Sequence, residues 1–438
     1  MDVVVVGAGI VGLAVARELL RRWPRLHLAV VDKEDQIAAH QSGHNSGVIH
    51  SGLYYAPGSL KARLCVAGGR ALVRYCDEHG IPYELSGKVI VATEESELPR
   101  LEELQRRGIA NGVEGLELIG PERLREIEPH AAGRRALYSP RTGIVDYTVV
   151  AHSYAADVTA AGGQILTGRA VTATVRANSK VILVTTRGGI ETRFLITCAG
   201  LYADRVAAMT GASRDPRIVP FRGDYYVLQP ERASLVRSMI YPVPDPSFPF
   251  LGVHFTRRME GGVWLGPNAV LAFAREGYRR LQVDPGDLIE ALTYRGFQAL
   301  AGKFWKTGLG EIYRDFSKGA FLKALQRYMP ELTDADLLTG PAGVRAQALS
   351  PDGKLVDDFV IHGDANVLHV RNAPSPAATS SLAIAETIAD AAANSFHLEE
   401  AASRLFPGGG PHLDPAGERS PQGHGEDTED TEAEASSC

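Results

Sequence analysis

The chain of 438 residues is 45% hydrophobic and 22% charged, with a formal net charge of −6. This composition is typical of globular proteins and excludes a wholly disordered chain, a collagen-like chain and a small disulfide-rich scaffold. The acidity also disfavours a nucleic-acid-binding protein, which would carry a basic face. Residues 407–438 contain eight acidic residues and one basic residue, so the rest of the chain is close to neutral.

The cysteines and the N-terminus bear on the cellular compartment. Cys65, Cys76, Cys198 and Cys438 form no C-x-x-C pair, which favours a reduced protein over a disulfide-bonded secreted one. Residues 2–13 lack the basic segment and cleavage site of a signal peptide. No run of about 18 apolar residues occurs, so the sequence predicts no transmembrane helix. We therefore expect a cytoplasmic protein.

The first thirty residues predict a βαβ unit. The β-branched run Val3–Val6 predicts a buried parallel strand, and a glycine-rich turn follows it directly. Apolar residues then recur at helical spacing until Trp23 and Pro24, where the helix should end. A second strand is predicted over 26–31, and Asp32 closes it.

The turn carries the pattern G-x-G-x-x-G at residues 7–12. Gly7 allows a tight turn, Gly9 lets the backbone approach a pyrophosphate, and Gly12 lets helix and strand pack closely. The amide groups at the start of the helix would face the phosphates, and Asp32 would accept the ribose hydroxyls. This context predicts a dinucleotide site but does not distinguish NAD from FAD.

Further elements follow along the chain. Helices are predicted over 59–79, with Ser59 as N-cap and Gly80 past the end, and over 147–161. Strands are predicted over 88–92, 169–175, 180–186, 192–198, 355–361 and 366–370. Residues 94–128 should form short helical pieces, 221–270 an antiparallel sheet, 287–328 helices and 378–395 a closing helix. Residues 407–438 should be disordered.

These elements predict an α/β fold of mixed α+β character with two domains. A discontinuous Rossmann-like domain would comprise residues 1–90, 145–215 and 335–396. A second domain with an antiparallel sheet, the substrate-binding or cap domain, would comprise 91–144 and 216–334. Residues 397–438 would form a disordered acidic tail. A nucleotide site assembled from both ends of the chain is typical of two-domain flavoproteins. This inference is an analogy with the domain organisation of those proteins.

Residues 40–62, which include His-Asn-Ser-Gly-Val-Ile-His at 44–50, closely resemble L-2-hydroxyglutarate dehydrogenases and oxidases. These belong to the D-amino-acid-oxidase-like group of FAD enzymes. Segments 221–226, 250–257, 266–269, 343–347 and 369–376 resemble the same family, so the resemblance covers about residues 2–396. Ser42 stands where the family usually has Thr, and Asp32 where many flavoproteins have Glu. The acidic tail is outside the family pattern.

The resemblance implies FAD-dependent oxidation of L-2-hydroxyglutarate to 2-oxoglutarate, with hydride transfer from C2 to flavin N5 and electrons passing to oxygen or a quinone. The alternatives are an FAD enzyme that oxidises another 2-hydroxy acid, an amino acid or glycerol phosphate, and a regulatory nucleotide-binding module whose tail recruits a partner. The residues expected to bind the cofactor are Gly7, Ala8, Gly9, Gly12, Asp32, Lys33, Ser42, His44, Asn45, Ser46, Val171, Ala199, Gly200, Asn372, Pro374, Ser375, Ala377, Thr379 and Ser380.

The oxidation requires a base for the hydroxyl proton, and histidine is the usual base near neutral pH. His50 is the first choice, because it follows the loop that the resemblance places against the flavin. His254 is the second choice, and His44 should brace the loop. For each histidine the alternative is a structural or surface imidazole.

A five-carbon dicarboxylate requires two cationic anchors, and the planar fork of arginine suits each carboxylate. The candidates are Arg345, Arg371, Arg222 and Arg257. In related enzymes an arginine near the C-terminus holds the substrate α-carboxylate, which favours Arg345 or Arg371. Of these two, Arg345 is also expected to take part in catalysis. For Arg222 and Arg257 an ion pair is an equal alternative. Four tyrosine hydroxyls could donate hydrogen bonds to the distal carboxylate, those of Tyr54, Tyr55, Tyr225 and Tyr226. The alternative is that these tyrosines only pack in the wall of the site.

The histidines lack metal-ligand spacing and no G-x-S-x-G occurs, so the sequence predicts neither a metal site nor a serine nucleophile. Between Arg295 and Tyr328, seven basic residues alternate with aromatic ones. This segment, 295–328, could dock peripherally on the inner face of the plasma membrane, where a quinone would accept electrons. The favoured interpretation is a helical cap whose aromatic residues pack inward.

Overall fold

The computed structural model describes residues 1–177, 180–245 and 252–398. Within them the predicted mixed α/β architecture is confirmed, with two large sheets and helices around them. The predicted acidic tail lies outside the described residues, apart from His397 and Leu398 just after the last helix. No helix among the described residues combines the length and the apolar character needed to cross a bilayer.

The strands of the described residues are β1 (Val3–Val6), β2 (Leu28–Val31), β3 (Val48–Ile49), β4 (Tyr83–Glu84), β5 (Lys88–Ala92), β6 (Glu117–Ile119), β7 (Arg135–Ser139), β8 (Gly143–Val145), β9 (Gln164–Leu166), β10 (Val171–Ala177), β11 (Lys180–Thr185), β12 (Gly188–Thr192), β13 (Phe194–Thr197), β14 (Arg217–Leu228), β15 (Met239–Pro242), β16 (His254–Arg257), β17 (Val263–Gly266), β18 (Val270–Leu271), β19 (Leu337–Leu349), β20 (Val360–Gly363) and β21 (Val367–Asn372). The α-helices are α1 (Ile10–Arg22), α2 (Leu60–His79), α3 (Leu98–Ala110), α4 (Pro121–Ile127), α5 (Tyr147–Ala160), α6 (Ala203–Met209), α7 (Pro285–Thr293), α8 (Arg295–Phe316), α9 (Lys318–Leu325) and α10 (Ser381–Phe396).

The first sheet has six strands in the order β20-β21-β13-β1-β2-β9, parallel except for β20. Every residue of β1, β2 and β13 is buried, as expected for parallel strands covered on both faces. Helices α1, α5 and α10 pack on one face, and the β10–β12 sheet and α6 lie on the other. The glycine-rich turn therefore leaves from the middle of this sheet.

Local signals explain where the second helix begins and ends. The Ser59 hydroxyl accepts a hydrogen bond from the amide of Ala62, and Gly80 closes α2 in the left-handed region at φ 63°. Both features were predicted and are confirmed. The helix packs against α10, so it brings the segment after the loop of residues 38–47 next to residues 379–380 at the start of α10.

The second sheet contains β14–β19 and β5–β7, in the order β18-β14-β17-β16-β15-β5-β7-β6, with β19 paired to β14. Two of its strands fall in segments that the domain prediction gave to the cofactor domain. Strand β5 pairs with β15 and β7, and β19, which was not predicted as a strand, pairs with β14. Gly340, Pro341 and Gly343 interrupt the apolar pattern of β19, which hid it from the sequence pattern. The exact domain division stays a prediction.

A buried ionic cluster joins the two halves of the molecule. Asp204 on α6 accepts two hydrogen bonds from Arg275, at 2.6 and 2.9 Å, and both side chains are almost completely buried. Glu290 on α7 contacts Arg275 at 3.1 Å and Arg205 on α6 at 2.6 Å. The helices beside the six-stranded sheet are thus connected by charge to the elements after β18.

Arg222, predicted as a candidate substrate anchor, belongs to a second buried cluster. Its Nε lies 2.9 Å from Asp224 and its Nη2 lies 3.2 Å from Asp315, and the Arg222 side chain is 3% exposed. Asn268 donates to Asp315 at 2.5 Å and accepts from the Asp224 amide at 2.7 Å. The guanidinium is thereby committed to the cap, because the carboxylates that surround it compensate its charge.

We expect Arg222→Ala to lower the free energy of unfolding by about 3–5 kcal/mol, because Asp315 would stay buried with only the Nε of Arg280, 3.6 Å away, to compensate its charge. Urea unfolding of the purified protein measures this change. Arg257→Ala is the matched control and should change stability little, since Arg257 is half-exposed and pairs with Glu84 only at 3.7 Å. A stable Arg222→Ala variant with weaker substrate binding would instead support the predicted role of Arg222 as a substrate anchor.

Candidate active site

A cavity of about 1280 Å³ lies between the two large sheets. Single small-molecule sites usually occupy roughly 300–1,000 Å³, so this cavity has room for a large cofactor together with a substrate. Its walls come from the turn after β1, the end of β2, the segment 38–50, the turn after β13, strand β19 and the segment 370–379. These are the regions in which the sequence placed its candidate residues.

The glycine-rich turn is fixed by steric limits. Gly7 has φ +111°, and a Cβ there would lie 2.4 Å from the carbonyl oxygen of Cys198. A Cβ on Gly12 would lie 1.9 Å from the Gly7 oxygen. The start of α1 therefore packs directly on β1 and β13, with its free amide groups at the cavity. Asp32 accepts from the Ala8 amide at 2.6 Å, so it also supports the turn.

The flavin loop, residues 38–47, is held from several sides. The Ser42 hydroxyl accepts from the Ile10 amide at 2.9 Å, which joins the loop to the first turn of α1. Asn45 donates to the carbonyls of Gln41 and Ser42 and accepts from the Gly47 amide. The His44 ring stacks on Tyr278 with centroids 4.2 Å apart. His44 therefore contacts the cap, as a bracing residue would.

Lys33 lies in an ionic cluster beside this loop. Its ammonium pairs with Glu34 and, at 2.5 Å, with Glu276, and its Nζ is 3.2 Å from the His40 ring. Glu34, His40 and Glu276 present three atoms close enough to hold a metal ion. The Lys33 ammonium already pairs with both carboxylates, so we assign no metal to this cluster.

The segment 370–380 forms the wall on the C-terminal side. The Thr379 hydroxyl accepts from the His50 amide at 3.1 Å and lies 2.8 Å from the Tyr147 hydroxyl. Ser380 Oγ is buried without a hydrogen-bond partner among the described residues. The segment leads into α10, whose N-terminus favours negative charge. The glycine cradle, the Asp32 carboxylate and this helix start fit the binding of FAD.

Most of the predicted cofactor residues line the cavity, namely Gly7, Gly9, Asp32, Lys33, Ser42, His44, Asn45, Ser46, Val171, Ala199, Gly200, Asn372, Pro374, Ser375, Ala377 and Thr379. Ala8, Gly12 and Ser380 lie immediately behind the lining. The predicted substrate residues that reach the cavity are His50, Tyr54, Tyr55, Tyr225, His254, Arg345 and Arg371. Arg222 and Arg257 are not among the lining residues.

The two candidate bases both line the cavity, where His254 is buried and His50 is half-buried. Burial, more than any charge, lowers the pKa of His50 to about 3 and that of His254 to about 3, so both rings are neutral at pH 7. The His254 Nδ1 lies 2.8 Å from the Gly252 carbonyl oxygen. A carbonyl only accepts, so Nδ1 carries the proton and Nε2 is left as the basic nitrogen. His50 Nδ1 has no partner among the described residues, so nothing there fixes its tautomer.

The two C-terminal arginines differ in their surroundings. Arg345 lies on β19 opposite Phe221 and lines the cavity, and its charge acts on His254, Tyr225 and Tyr241. Arg371 donates to the backbone carbonyls of Ser213, at 2.7 Å, and Asp215, at 3.2 Å. Arg371 therefore braces the chain around Asp215, whereas the charge of Arg345 acts on residues that line the cavity.

Sequence analysis missed two residues beside the histidines. Tyr241 on β15 lines the cavity and stacks on His254 with ring centroids 3.9 Å apart. Lys88 on β5 is completely buried, with its ammonium 4.6 Å from the ring centroids of Tyr54 and Tyr241. A lysine that opens a continuous apolar run, Lys-Val-Ile-Val-Ala, was a signal that could have identified Lys88.

Comparison with known proteins agrees with this geometry. The chain is 54% identical to an L-2-hydroxyglutarate dehydrogenase, mitochondrial, of Nematostella vectensis, over 91% of each chain. It is 52% identical to an L-2-hydroxyglutarate dehydrogenase of Indibacter alkaliphilus, over 90% of this chain and 99% of that one. Among solved structures, an FAD-bound L-α-glycerophosphate oxidase of Mycoplasma pneumoniae matches with a TM-score of 0.72 at 24% identity, over 88% of this chain and 92% of that one, which shows a shared fold.

A family model described as FAD dependent oxidoreductase, DAO, matches residues 2–391. The match covers both large sheets and every wall of the cavity. The chain therefore belongs to this family of FAD-dependent oxidoreductases.

Proposed function

We propose that the protein oxidises L-2-hydroxyglutarate to 2-oxoglutarate with FAD as its cofactor. The observation that carries the substrate is the identity of 54% and 52%, over about nine-tenths of the chain, with relatives named for that activity. The likeness to the glycerophosphate oxidase reaches 24% identity and concerns the fold, so it does not favour a glycerol phosphate substrate. A buried cavity with a cation and two neutral imidazoles suits oxidation of a hydroxy acid.

Bound in this cavity, FAD would supply the redox chemistry, as the acceptor of the hydride that leaves C2. We propose that Arg345 binds the substrate α-carboxylate and that the hydroxyls of Tyr54, Tyr55 and Tyr225 orient the rest of the substrate. The cofactor would be held by the glycine turn, Asp32, the flavin loop and the segment 370–380. Arg371 acts indirectly in this proposal, by bracing the backbone near Asp215.

His254 is our candidate for the base that takes the hydroxyl proton. Its Nδ1 proton is engaged by the Gly252 carbonyl, which leaves Nε2 able to accept. Stacking on Tyr241 holds the ring in place. His50, the first choice from sequence, becomes a substrate-orienting residue, because its amide is held by Thr379 and its ring nitrogen lacks a defining partner.

The substrate is tested by the colour of the flavin. Under nitrogen, L-2-hydroxyglutarate should bleach the yellow holoenzyme, whereas the D-enantiomer, glycerol 3-phosphate and L-glutamate should not. Stopped-flow absorbance measures the rates. Bleaching by one of the other compounds alone would replace the proposed substrate, and a colourless protein without FAD would contradict the proposal altogether. Reoxidation with oxygen or with a soluble quinone then identifies the electron acceptor.

The base is tested by a matched pair of variants. His254→Asn keeps an amide donor near Gly252 but removes the basic nitrogen, so it should slow flavin reduction by roughly 10²–10⁴-fold. His50→Asn should slow it by less than about 10-fold while raising KM. FAD content and the melting temperature of both variants should stay close to those of the parent. The opposite ranking of the two variants would assign the base to His50.

We further propose that the helical cap contacts an anionic membrane, so that the protein is peripheral on the inner face of the plasma membrane and passes electrons to a quinone there. In the segment 295–328 most described aromatic side chains pack inward, as favoured from sequence, with Phe321 and Tyr328 buried. Three apolar side chains on α7 and α8 point outward, Ile289 at 61%, Leu292 at 47% and Trp305 at 57% exposure. Arg295 and Lys303 are exposed beside them, which would suit anionic lipid.

This contact predicts that the protein sediments with phosphatidylglycerol vesicles at low salt and not with phosphatidylcholine vesicles. Binding should weaken as salt screens the charges. The variant Ile289→Glu/Trp305→Glu should lose sedimentation and keep its FAD content. If the parent protein does not sediment with either vesicle, the membrane contact is ruled out, and the proposed oxidation is unaffected.

A further inference from the structure

Lys88 has an unusual position for a lysine. Its side chain is completely buried, and its Nζ has no hydrogen-bond partner among the described residues. The ring centroids of Tyr54 and Tyr241 each lie 4.6 Å from Nζ, and both tyrosines line the cavity. A buried ammonium without an anion costs free energy, so its surroundings favour a ligand that brings negative charge.

Two further polar atoms on the same wall are also unpartnered among the described residues. These are Nδ1 of His50 and the hydroxyl of Tyr54. Burial raises the pKa of Tyr54 well above its ordinary value, so its hydroxyl keeps its proton and can donate. His50 and Tyr54 line the cavity, whereas Lys88, which contacts the Tyr54 ring, is not among the lining residues. A carboxylate beside Tyr54 would accept a hydrogen bond from its hydroxyl, which is unpartnered among the described residues.

Lys88 and Arg345 act on a common pair of residues. Burial is the main cause of the low pKa of His254, and the positive charges of Arg345 and Lys88 lower it further. Tyr241 stacks on His254, is contacted by Lys88 and is affected by Arg345. The two cations also have different neighbours. The charge of Lys88 lowers the pKa of His50, and the charge of Arg345 opposes the rise that burial causes in the pKa of Tyr225. Both cations therefore act on the stack of His254 and Tyr241.

Lys61 is the rival for a second cation, because it also lines the cavity. Its Nζ lies 5.0 Å from the centroid of Tyr55 and 3.9 Å from a carboxylate oxygen of Asp357. Lys61 therefore already has an anion near it. Lys88 has no carboxylate in ion-pair contact among the described residues, which makes its charge the one that a ligand would compensate.

We propose that Lys88 is the second cation of the active site and that, with Arg345, it selects a substrate with two carboxylates. Lys88 is a positioning residue: its ammonium acts on the distal carboxylate from behind the rings of Tyr54 and Tyr241, while the Tyr54 hydroxyl donates the hydrogen bond. This inference rests on the proposed function, because it concerns how the same site recognises its hydroxy acid.

The proposal implies that a proton binds together with the ligand. Burial lowers the pKa of Lys88 to about 7, so near neutral pH a large fraction of the protein holds it without charge. A bound dianion favours the ammonium form and draws a proton from solution. The titratable groups that face Lys88 are His50, Tyr54, Cys65, Tyr241 and His254, and none of them is a carboxylate. Lys61 acts on two of these groups, His50 and Cys65.

The test compares two ligands that cannot be oxidised at a hydroxyl, glutarate with two carboxylates and butyrate with one. Calorimetry and the flavin absorbance of the oxidised holoenzyme measure binding. The parent should prefer glutarate, and Lys88→Met should weaken glutarate binding by at least about 30-fold while changing butyrate binding little. Lys88→Met should also melt at a higher temperature than the parent, since a buried charge is removed. Lys61→Met should keep the preference for glutarate.

Proton uptake gives a readout that needs no variant. Glutarate binding at pH 7, measured in buffers of different ionisation enthalpy, should take up a fraction of a proton in the parent and none in Lys88→Met. No uptake by the parent, an unchanged preference in Lys88→Met, or loss of the preference in Lys61→Met instead would each overturn the role of Lys88. A parent that binds glutarate but is not bleached by L-2-hydroxyglutarate would contradict the proposed function alone.

Discussion

The antiparallel pairing of β14 with β19 is the constraint on which the active site depends. Its register runs from Arg217 opposite Leu349 to Leu228 opposite Leu337. The pairing adds β19, which comes from far along the chain, to the cap sheet. Strand β19 is also held against the flavin loop, because the Gln41 side chain accepts a hydrogen bond from the Ala346 amide at 2.9 Å. Arg345 is thereby fixed beside the cavity by two independent contacts of its strand.

Most of the residues predicted to bind the cofactor line the cavity, because the turn that carries them is a local feature of the sequence. A tight turn, a helix start and an acid at a strand end are encoded within about thirty residues, and steric limits at Gly7 and Gly12 leave little freedom. The substrate half is assembled from separate strands, so periodicity in one segment could not place Lys88 beside Tyr54 and Tyr241. The sequence could show that Arg222 was an arginine in a family motif, but only the fold showed Asp224 and Asp315 around it.

The histidine pair illustrates the same limit. Both residues lie within segments that resemble the family, and both line the cavity, so the residue type gives no preference between them. A backbone carbonyl near one ring makes the difference, because the Gly252 oxygen at 2.8 Å decides which nitrogen of His254 holds a proton. Such a contact depends on the turn that precedes β16, and its geometry is not written in the residue pattern.

The buried pair of Arg275 and Asp204 has a consequence for how a substrate enters. Separating the two halves of the molecule would leave these charges without partners in a poorly solvated interface, which typically costs several kcal/mol. A rigid swing of the cap on each turnover would therefore be slow. The partly exposed pair of Arg100 and Asp245, 3.4 Å apart on the cavity lining, costs much less to break. Breaking the Arg100–Asp245 pair would therefore admit a substrate at a lower free-energy cost than separating the two halves of the molecule.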